Sequence, residues 1–377
     1  MVTQGIGEGV PPPRPILKYC GLIFIALLSV TIVSALAGLR FGFMLAIGLG
    51  FGIVLEGLRF GFAGPWRAMI LRRDPSGLWA QLLSIGCVTL FALPLIAAYP
   101  GEVVGAFAPV GFSMVAGAFI FGAAMQVVLG CGSGTLVNAG SGNLVSLVAL
   151  PFFATGSFAG AYHLIWWTEL GTLSVLSVSG LSGAIITLCG LSVVAVIAWV
   201  LARPENRKLP RRLVIAALTL SLLAILNLVV AGQPWGVVYG LGLWIAKLAT
   251  ALGADTSASV FWSTSASIER VQNSILTDYT SLTNIGIIFG AFLVTHWRNN
   301  ELSKRLPKLN MRAWIATAFA GFLMGYSARL AFGCNVGAFY SGISTGSLHG
   351  WVWFVAAFVG SVLGVRLRLI LGFEAKA

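Results

Sequence analysis

The chain is 377 residues long, 58% hydrophobic and only 9% charged, with a mean hydropathy of +0.94, whereas soluble globular chains carry about 25% charged residues. That composition excludes water as the solvent for most of the chain and points to an all-α polytopic membrane protein. The formal charge of +12 would suggest nucleic acid in a soluble protein; here it is first a topology signal, because basic residues collect on the cytoplasmic side of a membrane.

Apolar runs of the length needed to cross a ~30 Å hydrocarbon core, about 20 residues each, recur along the whole chain. They predict about ten spans, near 16–38, 41–57, 78–98, 111–129, 144–164, 176–201, 213–232, 280–297, 313–330 and 349–371. Between them lie four segments too short or too broken by glycine to span, at 59–71, 130–143, 234–252 and 333–347, which read as re-entrant. With ten spans and both termini cytoplasmic, 19 of the 23 Lys and Arg fall on one side, in the loops that contain Arg59, Arg72 and Arg73, Arg203 to Arg212, Arg298 to Arg312, and in both tails. The exceptions are Arg40, Lys247, Arg270 and Arg329. Ordinary topology therefore accounts for the charge, and no nucleic-acid partner is expected. The expected location is a bacterial cytoplasmic (inner) membrane.

An internal repeat emerges when Gly122, Gly130, Cys131 and Gly134 are laid over Gly325, Gly333, Cys334 and Gly337, all 203 residues apart. One inserted residue then places Gly142, Gly156 and Gly160 on Gly346, Gly360 and Gly364. A single span separates the two halves, so the repeat is expected to be inverted, the architecture in which transporter sites form near the midplane between halves. The expected division is an added N-terminal segment (1–40), a first half (41–170), a linking span with a basic loop (171–212) and a second half (213–377).

The repeated motifs read Leu129-Gly130-Cys131-Gly132-Ser133-Gly134 and Phe332-Gly333-Cys334-Asn335-Val336-Gly337. Irregular backbone at membrane depth survives only where protein buries it or where it lines a wet cavity. Glycine permits the turn, and a helix starting just beyond offers its N-terminal amides to an anion. A buried thiol stays neutral, and S–H is a weak donor, suited to a soft, sulfur-bearing anion better than to a hard one. A lone cysteine in an apolar run is usually a small hydrophobe, which is the reading for Cys20, Cys87 and Cys189; recurrence at matched positions sets Cys131 and Cys334 apart. Lys247 and Arg329 add positive potential, and charge at membrane depth usually faces a cavity. Gly236, after Pro234-Trp235, is the loose counterpart of Gly61 after Phe60. The cysteines show no CxxC pair or neighbouring histidine, so neither a metal nor another cofactor is expected.

These paired segments, together with Leu55-Glu56-Gly57-Leu58-Arg59-Phe60-Gly61-Phe62-Ala63, resemble the YeeE/YedE thiosulfate transporter family. The resemblance implies a transporter, not an enzyme, that passes thiosulfate between Cys131 and Cys334 at a narrow waist. It also implies a small soluble sulfur carrier of the TusA type as cytoplasmic partner. The family often has a third cysteine where this chain has Gly61. Two other readings stay open on residues alone: a sulfur or selenium relay through a cysteine persulfide, which needs a thiolate, and a passive pore for a small neutral solute.

Overall fold

The computed structural model describes residues 15–256, 258–298, 309–371 and 373; Arg14, Lys304, Arg305, Lys308 and Lys376 of the basic set lie outside them. The chain runs α1 (Pro15–Ala37), α2 (Leu39–Gly57), α3 (Ala63–Arg72), α4 (Ser76–Ala98), α5 (Phe112–Val128), α6 (Gly132–Gly140) and α7 (Leu144–Tyr162). The short α8 (Leu164–Thr168) and the long α9 (Gly180–Leu201) follow. Then come α10 (Arg211–Ala231), α11 (Val238–Ala251), α12 (Ser265–Gln272), α13 (Tyr279–Trp297), α14 (Met311–Leu330), a π-helical turn over Asn335–Tyr340, α15 (Ser341–Ser344) and α16 (Leu348–Ile370).

Among the described residues nine helical stretches are long and apolar enough to cross a membrane, with 112–140 and 311–344 each counted as one. The tenth expected span forms as α13, nineteen residues long. Its first turns hold Thr280, Ser281, Thr283 and Asn284, all buried, so its polarity is spent inside the protein and its hydropathy understates it. The expected re-entrant segments contain α3, α6, α11 and the π-turn with α15; α6, nine residues long, rises only ~13 Å and cannot cross.

Packing is reciprocal. α2 packs along α13 while α4 packs along α10, and α7 packs along α14 while α16 packs along α5. Glycine makes these approaches possible. A Cβ at Gly122 would lie 2.0 Å from Ala357 O and one at Gly325 2.0 Å from Phe153 O; at Gly156 it would meet Phe322 O at 2.1 Å and at Gly360 Phe119 O at 2.0 Å. Backbones in such contact gain dispersion and exclude lipid, the usual basis of association inside a bilayer. α1 and α9 stand outside this block with their faces largely exposed.

Tryptophan is found both at the surface and in the core. Trp166 and Trp297 are exposed, but Trp66, Trp235, Trp262 and Trp353 are buried. Three of these four find a partner for the indole N–H: Trp66 donates to Gln81 Oε1 (3.0 Å), Trp262 to Phe158 O (3.3 Å) and Trp353 to Gly333 O (3.2 Å). A satisfied N–H is what makes a buried indole tolerable.

Candidate functional site

Both long helices that precede the cysteines end in the same manner. Leu129 and Phe332 close α5 and α14 in the left-handed region, at φ 57° and 56°, a conformation that costs a non-glycine residue roughly 1–2 kcal/mol. Gly130 N–H then bonds to Met125 O (3.2 Å) and Gly333 N–H to Ala328 O (2.8 Å). The chain leaves each turn extended at the cysteine, so both thiols start a new helical segment.

The two starts differ in detail. Cys131 caps α6 through its sulfur, which accepts from Gly134 N–H at 3.4 Å and lies 3.5 Å from Ser133 Oγ. Thr135 fixes the turn by bonding Cys131 O with both its amide (2.9 Å) and its hydroxyl (2.8 Å). Cys334 makes no such cap. Backbone groups of Gly337 and Val336, and of Gly132 from the other cysteine segment, surround its thiol instead. A methyl group at Gly132 would sit 2.7 Å from Cys334 Sγ, so the two cysteine segments are in direct contact. Both cysteines are buried, at 1% and 0% exposure.

Each cysteine lines a cavity of its own. The first, about 230 Å³, holds Glu56, Arg59, Gly61, Gly130, Cys131 and Gly134 in its wall. The second, about 250 Å³, holds Gly236, Arg329, Gly333, Cys334 and Gly337, together with Tyr239 and Arg270. Nine of the ten residues singled out from the sequence therefore line one cavity or the other. Lys247 stands apart, its ammonium donating to the carbonyls of Arg270 (2.7 Å), Val271 (2.9 Å) and Asn273 at the C-terminal end of α12, where a cation offsets the helix dipole. Cys20, Cys87 and Cys189 lie in neither lining, and Cys20 and Cys189 are exposed.

Several residues in and around the site were not singled out from the sequence for this role. Gln81 on α4 donates to Gly61 O (2.8 Å), and Asn284 on α13 donates to Val237 O (2.9 Å), next to Gly236. They are 203 residues apart, the offset of the cysteines, and that spacing was the signal available. Between the cavities Tyr340 packs edge-on to Phe62 and Trp235 and bonds Ser84 Oγ at 2.7 Å. Arg270 reaches the second wall because α12 packs on α11, with Trp262 stacked on Phe158 of α7.

Comparison with known proteins places the chain among transporters' relatives. A probable transporter, YedE, of Escherichia coli is 30% identical over 141 residues, 37% of this chain and 34% of that protein, and its Salmonella typhimurium namesake is 36% identical over 101 residues, 27% and 25%. The matches thus span about a third and a quarter of those two relatives. The thiosulfate transporter TsuA of Spirochaeta thermophila is 28% identical over 334 residues, covering 82% of this chain and 93% of that protein. The profile described as sulphur transport matches residues 58–363, and the chain belongs to that family.

Proposed function

We propose that the protein carries a sulfur-bearing anion, thiosulfate foremost, across the cytoplasmic membrane through a waist between Cys131 and Cys334. The observation that carries this is the contact between the two cysteine segments, each of which lines a cavity of its own. A neutral S–H donates weakly, so it can greet a terminal sulfur without holding it, and two such donors in succession allow hand-over without a covalent bond. TsuA, the relative matched over most of its length, is a thiosulfate transporter, which supports the same substrate here.

The reciprocal packing and matched glycine contacts support an inverted repeat, with equivalent helices related by a two-fold axis in the membrane plane. In that frame the first cavity opens to the cytoplasm. Arg59 lines it, and Arg72 and Arg73 end the neighbouring α3. The linker loop adds to this basic face: Arg203 N–H bonds Arg73 O (3.2 Å), and Asn206 Nδ2 bonds Arg72 O (3.1 Å). Such a face suits an acidic sulfur-carrier protein of the TusA type as receiver.

The test is entry of labelled thiosulfate into bacteria that lack their own uptake system, with wild type, Cys131→Ser and Cys334→Ser compared at equal membrane abundance. Uptake by wild type and its loss in both variants is the expected result. Uptake indifferent to both changes would remove the thiols from the path and favour a passive pore. Persulfide found on either cysteine by mass spectrometry during turnover would replace hand-over with a relay.

A further inference from the structure

The second cavity contains more positive charge than a path for thiols needs. Arg329 leaves the end of α14 and sets its guanidinium 4.5 Å from the Phe261 ring and 5.7 Å from the Tyr239 ring. Arg270, from α12, lies over Tyr239 at 5.2 Å. Tyr239 is thus a shared platform for two arginines from different elements, and both line the cavity that ends at Cys334. Cation–π contact fixes the direction of each guanidinium, and Arg270 also bonds the Tyr239 side chain.

Two facts point to an anion between them. Arg329 Nε is buried and has no hydrogen-bond partner among the described residues, and a buried donor left unpaired on a charged group is expensive. The carboxylate that acts on Tyr239, Asp278, is committed elsewhere: it caps α13 by accepting from Ser281 N–H at 2.7 Å. Positive charge in a partly desolvated cavity attracts anions more strongly than the same charge in water.

The first repeat has no counterpart. Gln126 holds the position equivalent to Arg329 and spends its amide on Ala63 O (3.1 Å), while the arginine of the first cavity, Arg59, shares that wall with Glu56.

We infer that Arg270 and Arg329, placed around Tyr239, form a capture site for small tetrahedral dianions, sulfate as well as thiosulfate, immediately ahead of Cys334. Selection then happens twice. The arginines select by charge and cannot tell sulfate from thiosulfate, and the thiols select by sulfur. Because only the second cavity has the pair, the anion is loaded from that side. The proposal rests on the transport reading above for its direction, but the site itself does not depend on the thiols.

The purified full chain in lipid nanodiscs is titrated calorimetrically with sodium sulfate and sodium thiosulfate, with sodium nitrate as monoanion control, and sulfate is added to the uptake assay as competitor. Wild type should bind both dianions at one site and nitrate far more weakly, and sulfate should compete with thiosulfate uptake without being carried. Arg329→Gln should weaken both dianions by about tenfold or more, the scale expected when one member of a desolvated charge pairing is removed, and Arg270→Gln, at an exposed position, by a smaller factor of about two- to fivefold. Arg329→Lys should recover part of the loss. Arg270 is exposed, so its variant stays informative if loss of the buried Arg329 harms folding, which a thermal melt reports. Cys334→Ser should keep sulfate binding while losing thiosulfate uptake. Sulfate that neither binds nor competes, or dianion binding unchanged in both glutamine variants, would overturn the capture site. Dianion binding that depends on the arginines beside uptake indifferent to the thiols would uphold it and sink the cysteine path.

Discussion

The two cysteine segments share a frame and differ in chemistry. Each follows a left-handed turn and lines a cavity, yet Cys131 caps a regular helix through its sulfur, whereas Cys334 opens a π-turn with no cap. Residue 132 is glycine and its counterpart 335 is asparagine, buried with both amide atoms unpartnered among the described residues. Position 126 is neutral and 329 is cationic. A repeat supplies two equivalent positions, and here they are filled unequally: on the transport reading proposed above, the second side would attract the anion and the first would release it.

The largest effect expected inside this comparison comes from Gly132→Ala. The new methyl would press on Cys334 Sγ at 2.7 Å, and over-packing of this kind costs about 1–3 kcal/mol. Thiosulfate uptake should fall about tenfold with the protein still folded by size-exclusion chromatography. Gly134→Ala, where the methyl would find Cys131 Sγ at an ordinary 3.5 Å, should keep most of its uptake. Equal loss in both would mean that the contact across the waist is not the sensitive point.

Next in size are the amides that hold the cavity loops. Gln81→Leu strips partners from Gly61 O and from the Trp66 indole, and Asn284→Leu strips one from Val237 O. An orphaned buried group costs about 1–3 kcal/mol, so both should lower the melting temperature in nanodiscs, Gln81→Leu by more because two partners are lost. A larger drop for Asn284→Leu would mean that the second frame is the more strained of the two.

The smallest effect is expected at Gly61→Cys. No atom lies within 4 Å of the added Cβ, so stability should stay within about 0.5 kcal/mol of wild type, and initial uptake rates should rise as a third thiol joins the first cavity. A fall in rate would show that this chain has adapted to an open Gly61, as it has to Gly236, whose Cβ also meets nothing within 4 Å.

Much of this was legible in the sequence because lipid imposes simple rules. Run length gave the spans, and the glycine-framed cysteines marked where α5 and α14 break. The matched glycines were visible as spacing; their contacts, such as Gly122 on Ala357 and Gly325 on Phe153, were not. What escaped depends on tertiary partners. Lys247 looked like a cation for the path, but three carbonyls at the end of α12 claim it, and they reach it only because α12 packs on α11. The π-turn at Asn335 has no local signal, since glycine and small residues suit many backbones.

The reciprocal packing has a consequence for synthesis. α5 and α7 leave the ribosome long before α16 and α14, the helices that fill their glycine faces, so the N-terminal half must wait in the bilayer with its closest contacts unmade. Contacts so distant in sequence are slow to form. The stretch from α2 to α7 is therefore only half of an interlocked object, and its glycine faces are filled only when α14 and α16 have entered.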